Sequence, residues 1–209
     1  MVSVAGRRHD TEGTRTMERP PLTREQHVDY CQWAEELEAM LFDAGNLLSA
    51  TYTSSSALGR LIERVHAKTS RGFWGVLKLN AQEEYGTIPD EELSPRRTAT
   101  APGGSSAPNR FAFEWPTRQR TPQWMSLELH RQLAAELKRH RDKASEVLKS
   151  YANAYGKSEL AVKRLRQIVT GLDELRYALQ AQLHYECRSQ MSWDDLMHVY
   201  GAGRLGGAA

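Results

Sequence analysis

Two tetrapeptides set a carboxylate and an imidazole one helical turn apart: Glu63-Arg64-Val65-His66 and Asp195-Leu196-Met197-His198. A spacing of three puts both side chains on one helix face, as carboxylate-bridged di-metal bundles require. Such a centre also needs two more carboxylates pointing inward from other helices. The acids Glu35, Glu36, Glu38, Glu159 and Glu174 lie off the apolar stripes described below. Solvated helix charge is the simpler reading, and no metal or other cofactor is expected.

Nucleophilic chemistry finds no better footing. The two cysteines, Cys31 and Cys187, form no C-x-x-C pair and sit in no recognisable catalytic motif, so both read as buried or semi-buried thiols. His140 falls among apolar residues and next to Arg139 and Arg141, which disfavour its charged form; it reads as a polar residue that sets helix register. Gly201-Ala202-Gly203-Arg204-Leu205-Gly206 has the spacing G-x-G-x-x-G, but it follows no strand and opens no helix. No Walker A, G-x-S-x-G or H-E-x-x-H motif occurs. These absences argue against an enzyme and against a small-molecule substrate.

Residues suited to binding are more plentiful. Lys138, Arg139, Arg141 and Lys143, with Arg164 and Arg166 further along, form a basic face that could meet a membrane, a nucleic acid or a cytoskeletal polymer. The competing reading is pairing within the chain. Net charge is only +2, but residues 23–92 hold 6 basic and 12 acidic groups, while residues 93–122 hold 5 and 1 and residues 123–209 hold 13 and 10. An acidic first half opposite a basic second half favours internal pairing. Ser94-Pro95-Arg96-Arg97 has the form of a proline-directed kinase site, which would make Ser94 a phosphorylation site in an accessible loop. Phe111, Phe113 and Trp115 alternate, so an extended chain would show all three on one face, as a docking motif or as a strap over the protein's own helices.

The elements that would carry these residues are helical. Thr23-Arg24-Glu25-Gln26 reads as a capping box. A four-three stripe then runs Tyr30, Ala34, Leu37, Leu41, Ala44, Leu48, Thr51, Ser55, Leu58, Ile62, Val65. A stronger one runs Leu133, Leu137, His140, Ala144, Val147, Tyr151, Ala154, Ser158, Ala161, Leu165, Ile168, Leu172, Leu175, Leu179. Both have the period of a coiled-coil seam. The expected fold is all-α: two long amphipathic helices, roughly 24–70 and 124–188, forming an antiparallel hairpin or coiled coil. The alternative is a three-helix bundle broken at Gly156, where Tyr155-Gly156-Lys157-Ser158 could turn the chain. The apolar run Phe73–Leu79 fits a short strand or a helix end, and Ser192-Trp193-Asp194-Asp195 caps a short last helix.

This divides the chain into a disordered extension (1–22), a first helix with its apolar run (23–79), a disordered Pro/Gly/Ser-rich linker (80–122), a second helix or hairpin (123–190) and a short capped helix with a flexible tail (191–209). Because the second stripe outlasts the first, Leu165, Ile168, Leu172, Leu175 and Leu179 are expected to need another chain. The function expected is a non-enzymatic scaffold or assembly subunit, its seam joined to a partner protein or to a second copy. No stretch approaches the roughly 18 apolar residues of a membrane span, and no secretory leader is recognisable, so an intracellular site is expected, cytoplasmic, cytoskeletal or nuclear.

Overall fold

The first stripe breaks where its apolar character is weakest. The computed structural model describes residues 21–52, 57–70, 73–94, 124–157, 159–189, 191–192, 195 and 198–201. Helix α1 spans Arg24–Thr51 and α2 spans Ala57–Ser70. The predicted capping box starts α1: Thr23 Oγ1 accepts from the Gln26 amide at 3.2 Å, and the Thr23 amide donates to Gln26 Oε1 at 2.8 Å. At the other end, Tyr52 takes extended dihedrals, φ −113° and ψ 155°, so the chain leaves the helix there. Thr51 uses its hydroxyl to bond the Leu47 carbonyl, as Ser and Thr do when they compete with the helix ladder. The single helix expected over 24–70 is therefore two.

The run that starts at Phe73 is helix, not strand. Helix α3, Phe73–Tyr85, buries Phe73, Leu77 and Ala81 at four-residue spacing. It ends at Gly86, whose φ of +72° is open to glycine at little cost. A single turn, α4 (Asp90–Leu93), follows and is tied back by Lys78 to Asp90 at 2.5 Å. The segment 80–94, expected to belong to a disordered linker, thus contributes Ala81, Ile88 and Leu93 to the core. Leu22, assigned to the disordered extension, is also buried.

The second stripe forms a hairpin. Helix α5 spans Leu127–Ala154, its first turn capped by Ser126, whose hydroxyl accepts from the Leu129 amide at 3.2 Å. Gly156 has φ +93° and donates its amide to the Ala152 carbonyl, ending the helix in a left-handed turn. Helix α6, Leu160–Cys187, then returns antiparallel to α5. The preferred reading of one helix from 124 to 188 is corrected to the alternative, with the break at Gly156. The four-three phase runs through the turn because both arms face one core. Among the described residues no strand occurs, and the fold is all-α with long helices packed on one another.

Helix α2 decides the fate of the second seam. It lies on α6 so closely that a Cβ added at Gly171 would stand 3.0 Å from Val65 Cγ2. Leu165, Ile168, Leu172, Leu175 and Leu179 are all 0% exposed. The expectation that this stretch lacks an internal partner is corrected: breaking the first helix after Thr51 lets α2 fold over the surplus of the second. The expected opposition of charge between halves is realised as Arg139 on Glu36 at 3.2 Å and Lys143 on Asp29 at 2.8 Å, both joining α5 to α1.

Candidate functional site: two buried histidine clusters

Helices α1 and α5 each carry a histidine four residues after the capping residue, and each histidine is fully buried. His27 follows Thr23 on α1, and His130 follows Ser126 on α5. An imidazole removed from water must have both ring nitrogens satisfied.

For His27 the partners come from α3 and α5. Nε2 lies 3.1 Å from Glu84 Oε2 and 2.9 Å from the Tyr155 hydroxyl, while Nδ1 lies 3.3 Å from the Tyr151 hydroxyl. The consistent assignment is a neutral ring that donates from Nε2 and accepts at Nδ1 from Tyr151. Tyr85 stands edge-on to the ring, at 5.7 Å between centroids, and bonds the Leu22 carbonyl. Tyr30 completes the aromatic wall, 6.0 Å from Tyr151, and donates to Ser150 at 3.0 Å. Burial holds the His27 pKa below its ordinary value, against the pull of the Glu84 carboxylate. Burial likewise raises Tyr151 and Tyr155, the latter helped by Glu84. The Glu84 side chain remains 24% exposed, so this cluster meets solvent through its carboxylate.

His130 is enclosed on every side. Its Nε2 lies 3.1 Å from Glu186 Oε2 and its Nδ1 lies 2.8 Å from the Tyr200 hydroxyl. Glu186 also accepts from the Tyr52 hydroxyl at 2.6 Å, from Gln182 at 2.7 Å and from the Met125 amide at 3.1 Å. Burial alone would raise the Glu186 pKa, but the bonds from His130, Tyr52 and Gln182 reverse this and hold it low. Tyr200 is anchored in turn: Arg176 donates to its carbonyl at 2.5 and 3.0 Å and pairs with Asp173, which also receives Arg141. Burial and the adjacent Glu186 raise the Tyr200 and Tyr52 hydroxyls well above the usual phenol range, although burial is the larger cause in both.

Both clusters have the order carboxylate–imidazole–phenol. That order can hold a proton in place, but neither places an activated nucleophile beside the imidazole. Cys31, the thiol on the His27 side, is 0% exposed and pushed up to about 12 by burial, which keeps it an inert thiol. Cys187 is buried too, and its pKa is raised by burial and then by Glu186. Both cysteines are free, buried thiols, as the sequence led us to expect.

The sequence-derived candidates fall elsewhere. Glu63, Asp195 and His198 are exposed and His66 is partly buried, and among the described residues no group of three or more His, Cys, Asp or Glu side chains could hold a metal ion. His140 is buried on the α5 stripe, where its Nε2 meets the Arg139 guanidinium at 2.8 Å. The basic face is largely spent on acids: Lys138 on Asp142, Arg139 on Glu36 and Glu136, Arg141 on Asp173, and Lys143 on Asp29 and Glu146. Arg164 is partly covered and Arg166 exposed. Ser94 is 1% exposed, which corrects the expectation of a kinase-accessible loop: Leu93 and Ser94 close the α4 turn against the core. Arg96, Arg97, Phe111, Phe113 and Trp115 lie outside the described residues, as does most of the G-x-G-x-x-G segment.

The stripes extend into the clusters: one step before Tyr30 is His27, one step before Leu133 is His130, and two steps after Leu179, past Leu183, is Glu186. Glu84 carried no comparable signal. The exposed aromatics tell a different story. Trp124 and Tyr185 meet edge-on, with 6.1 Å between centroids, yet stay 63% and 71% exposed. At the same end of the molecule, Leu127, Arg131, Met191, Ser192, Asp195, His198 and Val199 line an open groove of about 600 Å³. Ser192 caps Asp195 there, its hydroxyl accepting from the Asp195 amide at 3.2 Å. No family model matches the chain, and no curated protein or solved structure matches it.

Proposed function

We propose that this chain is a non-enzymatic helical scaffold or assembly subunit that works inside the cell by binding a protein partner. It completes its own core and presents its docking surface outside that core. The observation that carries the reading is the Trp124–Tyr185 pair, two large aromatic rings held against each other while most of their surface faces water. Aromatic side chains fixed in this way are the usual anchors of protein interfaces, and an isolated bundle gains nothing by exposing them. The partner in this reading is a protein offering an apolar surface. The inert thiols and the internal pairing of the basic residues speak against a nucleophilic enzyme and against a polyanion binder, respectively. Among the described residues, no helix is long and apolar enough to cross a membrane.

The test is affinity purification from the native source, at low and high salt, with the wild-type chain and a Trp124→Ala/Tyr185→Ala variant. The reading expects a partner that survives high salt with the wild type and is lost with the variant. Recovery of a soluble monomer alone, or of the same partner with both chains, contradicts it.

A further inference from the structure

The two histidine clusters share their chemistry but not their access to water, and that difference gives one of them a use. We propose that the His27 cluster is a proton-operated latch, which holds the first turn of α1 and the last turn of α3 against the end of α5 when His27 is neutral and releases them when it is protonated.

The geometry supplies the mechanism. Neutral His27 donates from Nε2 to Glu84 and accepts at Nδ1 from Tyr151. A proton added at Nδ1 turns that acceptor into a donor facing the Tyr151 oxygen. Tyr151 then loses the acceptor for its own O–H, and it is fully buried, so no water replaces it. The groups that face His27 are Glu84 and Tyr85 from α3, with Tyr151 and the capping residue Tyr155 at the end of α5; Tyr30 and Cys31, on the same helix as His27, act on Tyr151. Charges stand further out: Lys78 acts on Cys31, and Lys143, over the Tyr30 ring at 5.3 Å, is neutralised by Asp29 and Glu146. Among the described residues, Glu84 is therefore the one charge in contact with the imidazole, and it opposes release by favouring the cation. Burial outweighs it.

The sign follows. A histidine held below its ordinary pKa contributes stability that is complete above about 6.5 and declines as pH falls below that value. The exposed edge of Glu84 gives the proton its path. Around His130, by contrast, the side chain of Glu186 is 1% exposed and takes three further donors, so that end has neither a path nor a loose partner.

The test is amide hydrogen exchange read by mass spectrometry on the full chain at pH 7.5 and 5.5, corrected for the intrinsic pH dependence of exchange. Peptides covering 24–31 and 78–85 are expected to lose protection by roughly threefold or more at pH 5.5, while those covering 127–133 and 183–187 hold theirs. His27→Gln should abolish the difference, and Glu84→Gln, which removes the opposing charge, should enlarge it. Should His27→Gln fail to fold, the wild-type contrast and the Glu84→Gln response still decide the matter. Equal loss of protection at both ends, no loss at residues 24–31, or a difference that persists unchanged in His27→Gln would overturn the latch.

Discussion

The segments Leu22-Thr23-Arg24-Glu25-Gln26-His27 and Met125-Ser126-Leu127-Glu128-Leu129-His130 run parallel: a buried apolar residue, a hydroxyl cap, an acid in the first turn and a buried histidine. Each histidine then takes a carboxylate from a distant helix and a phenol from elsewhere. What separates them is the carboxylate. Glu186 on α6 receives four donors and sees almost no water, whereas Glu84 stands in the last turn of α3 with its side chain partly in solvent. The same three side-chain types thus make a closed tie at one site and an exchangeable one at the other. Solvent access, not residue identity, sets the role, because the strength of a charged contact rises steeply as water leaves.

The comparison breaks most visibly at Glu186. Glu186→Ala leaves the buried His130 ring and Met125 amide, and the partly buried Tyr52 hydroxyl, without their acceptor, and is expected to cost about 3–5 kcal/mol in urea unfolding at pH 7.5. Tyr200→Phe removes only the bond to His130 Nδ1 and should cost about 1–3 kcal/mol. Glu84→Ala, at the open cluster, should cost about 1 kcal/mol or less, since a partly solvated pair is screened. Smaller still, Trp124→Ala/Tyr185→Ala should leave stability within about 0.5 kcal/mol, its effect falling on partner binding. Acidification sharpens the contrast from another side. The His27 contribution fades below about pH 6.5, and that of Glu186, held low in the folded chain, fades only as pH drops below its ordinary carboxylate value of about 4.5. Unfolding curves across pH 2–8 are expected to show two separate declines in the wild type, with the upper one absent in His27→Gln.

Much of the fold was legible because it rests on local rules. The Thr23 capping box and the apolar seam residues of both blocks declare themselves through spacing and residue type, whereas the sequence supports the glycine turn at 156 only as the alternative to a continuous helix. What the stripes concealed was where a helix stops. Thr51 and Tyr52 end α1 through a hydroxyl back-bond and an extended backbone, neither of which interrupts a four-three count. That one break redirected α2 onto α6 and changed Leu165 through Leu179 from a surface awaiting a partner into core. The clusters were half-legible. His27, His130 and Glu186 lie on the extended stripes, where a polar residue among apolar ones asks for a buried partner. Glu84 and Tyr200 come from segments whose placement depends on tertiary packing, so no spacing in the sequence pairs them with their histidines. The Trp124–Tyr185 pair was hidden for the same reason, its members lying on opposite arms of the hairpin.

The claim that one cluster is closed and the other exchangeable is tested most directly by two double-mutant cycles, His130–Glu186 and His27–Glu84, measured by denaturant unfolding at pH 7.5. The expected coupling is more than about 1.5 kcal/mol for His130–Glu186, in the range of buried hydrogen bonds to charged groups, and clearly smaller for His27–Glu84. Equal couplings, or a larger one at His27–Glu84, would contradict it.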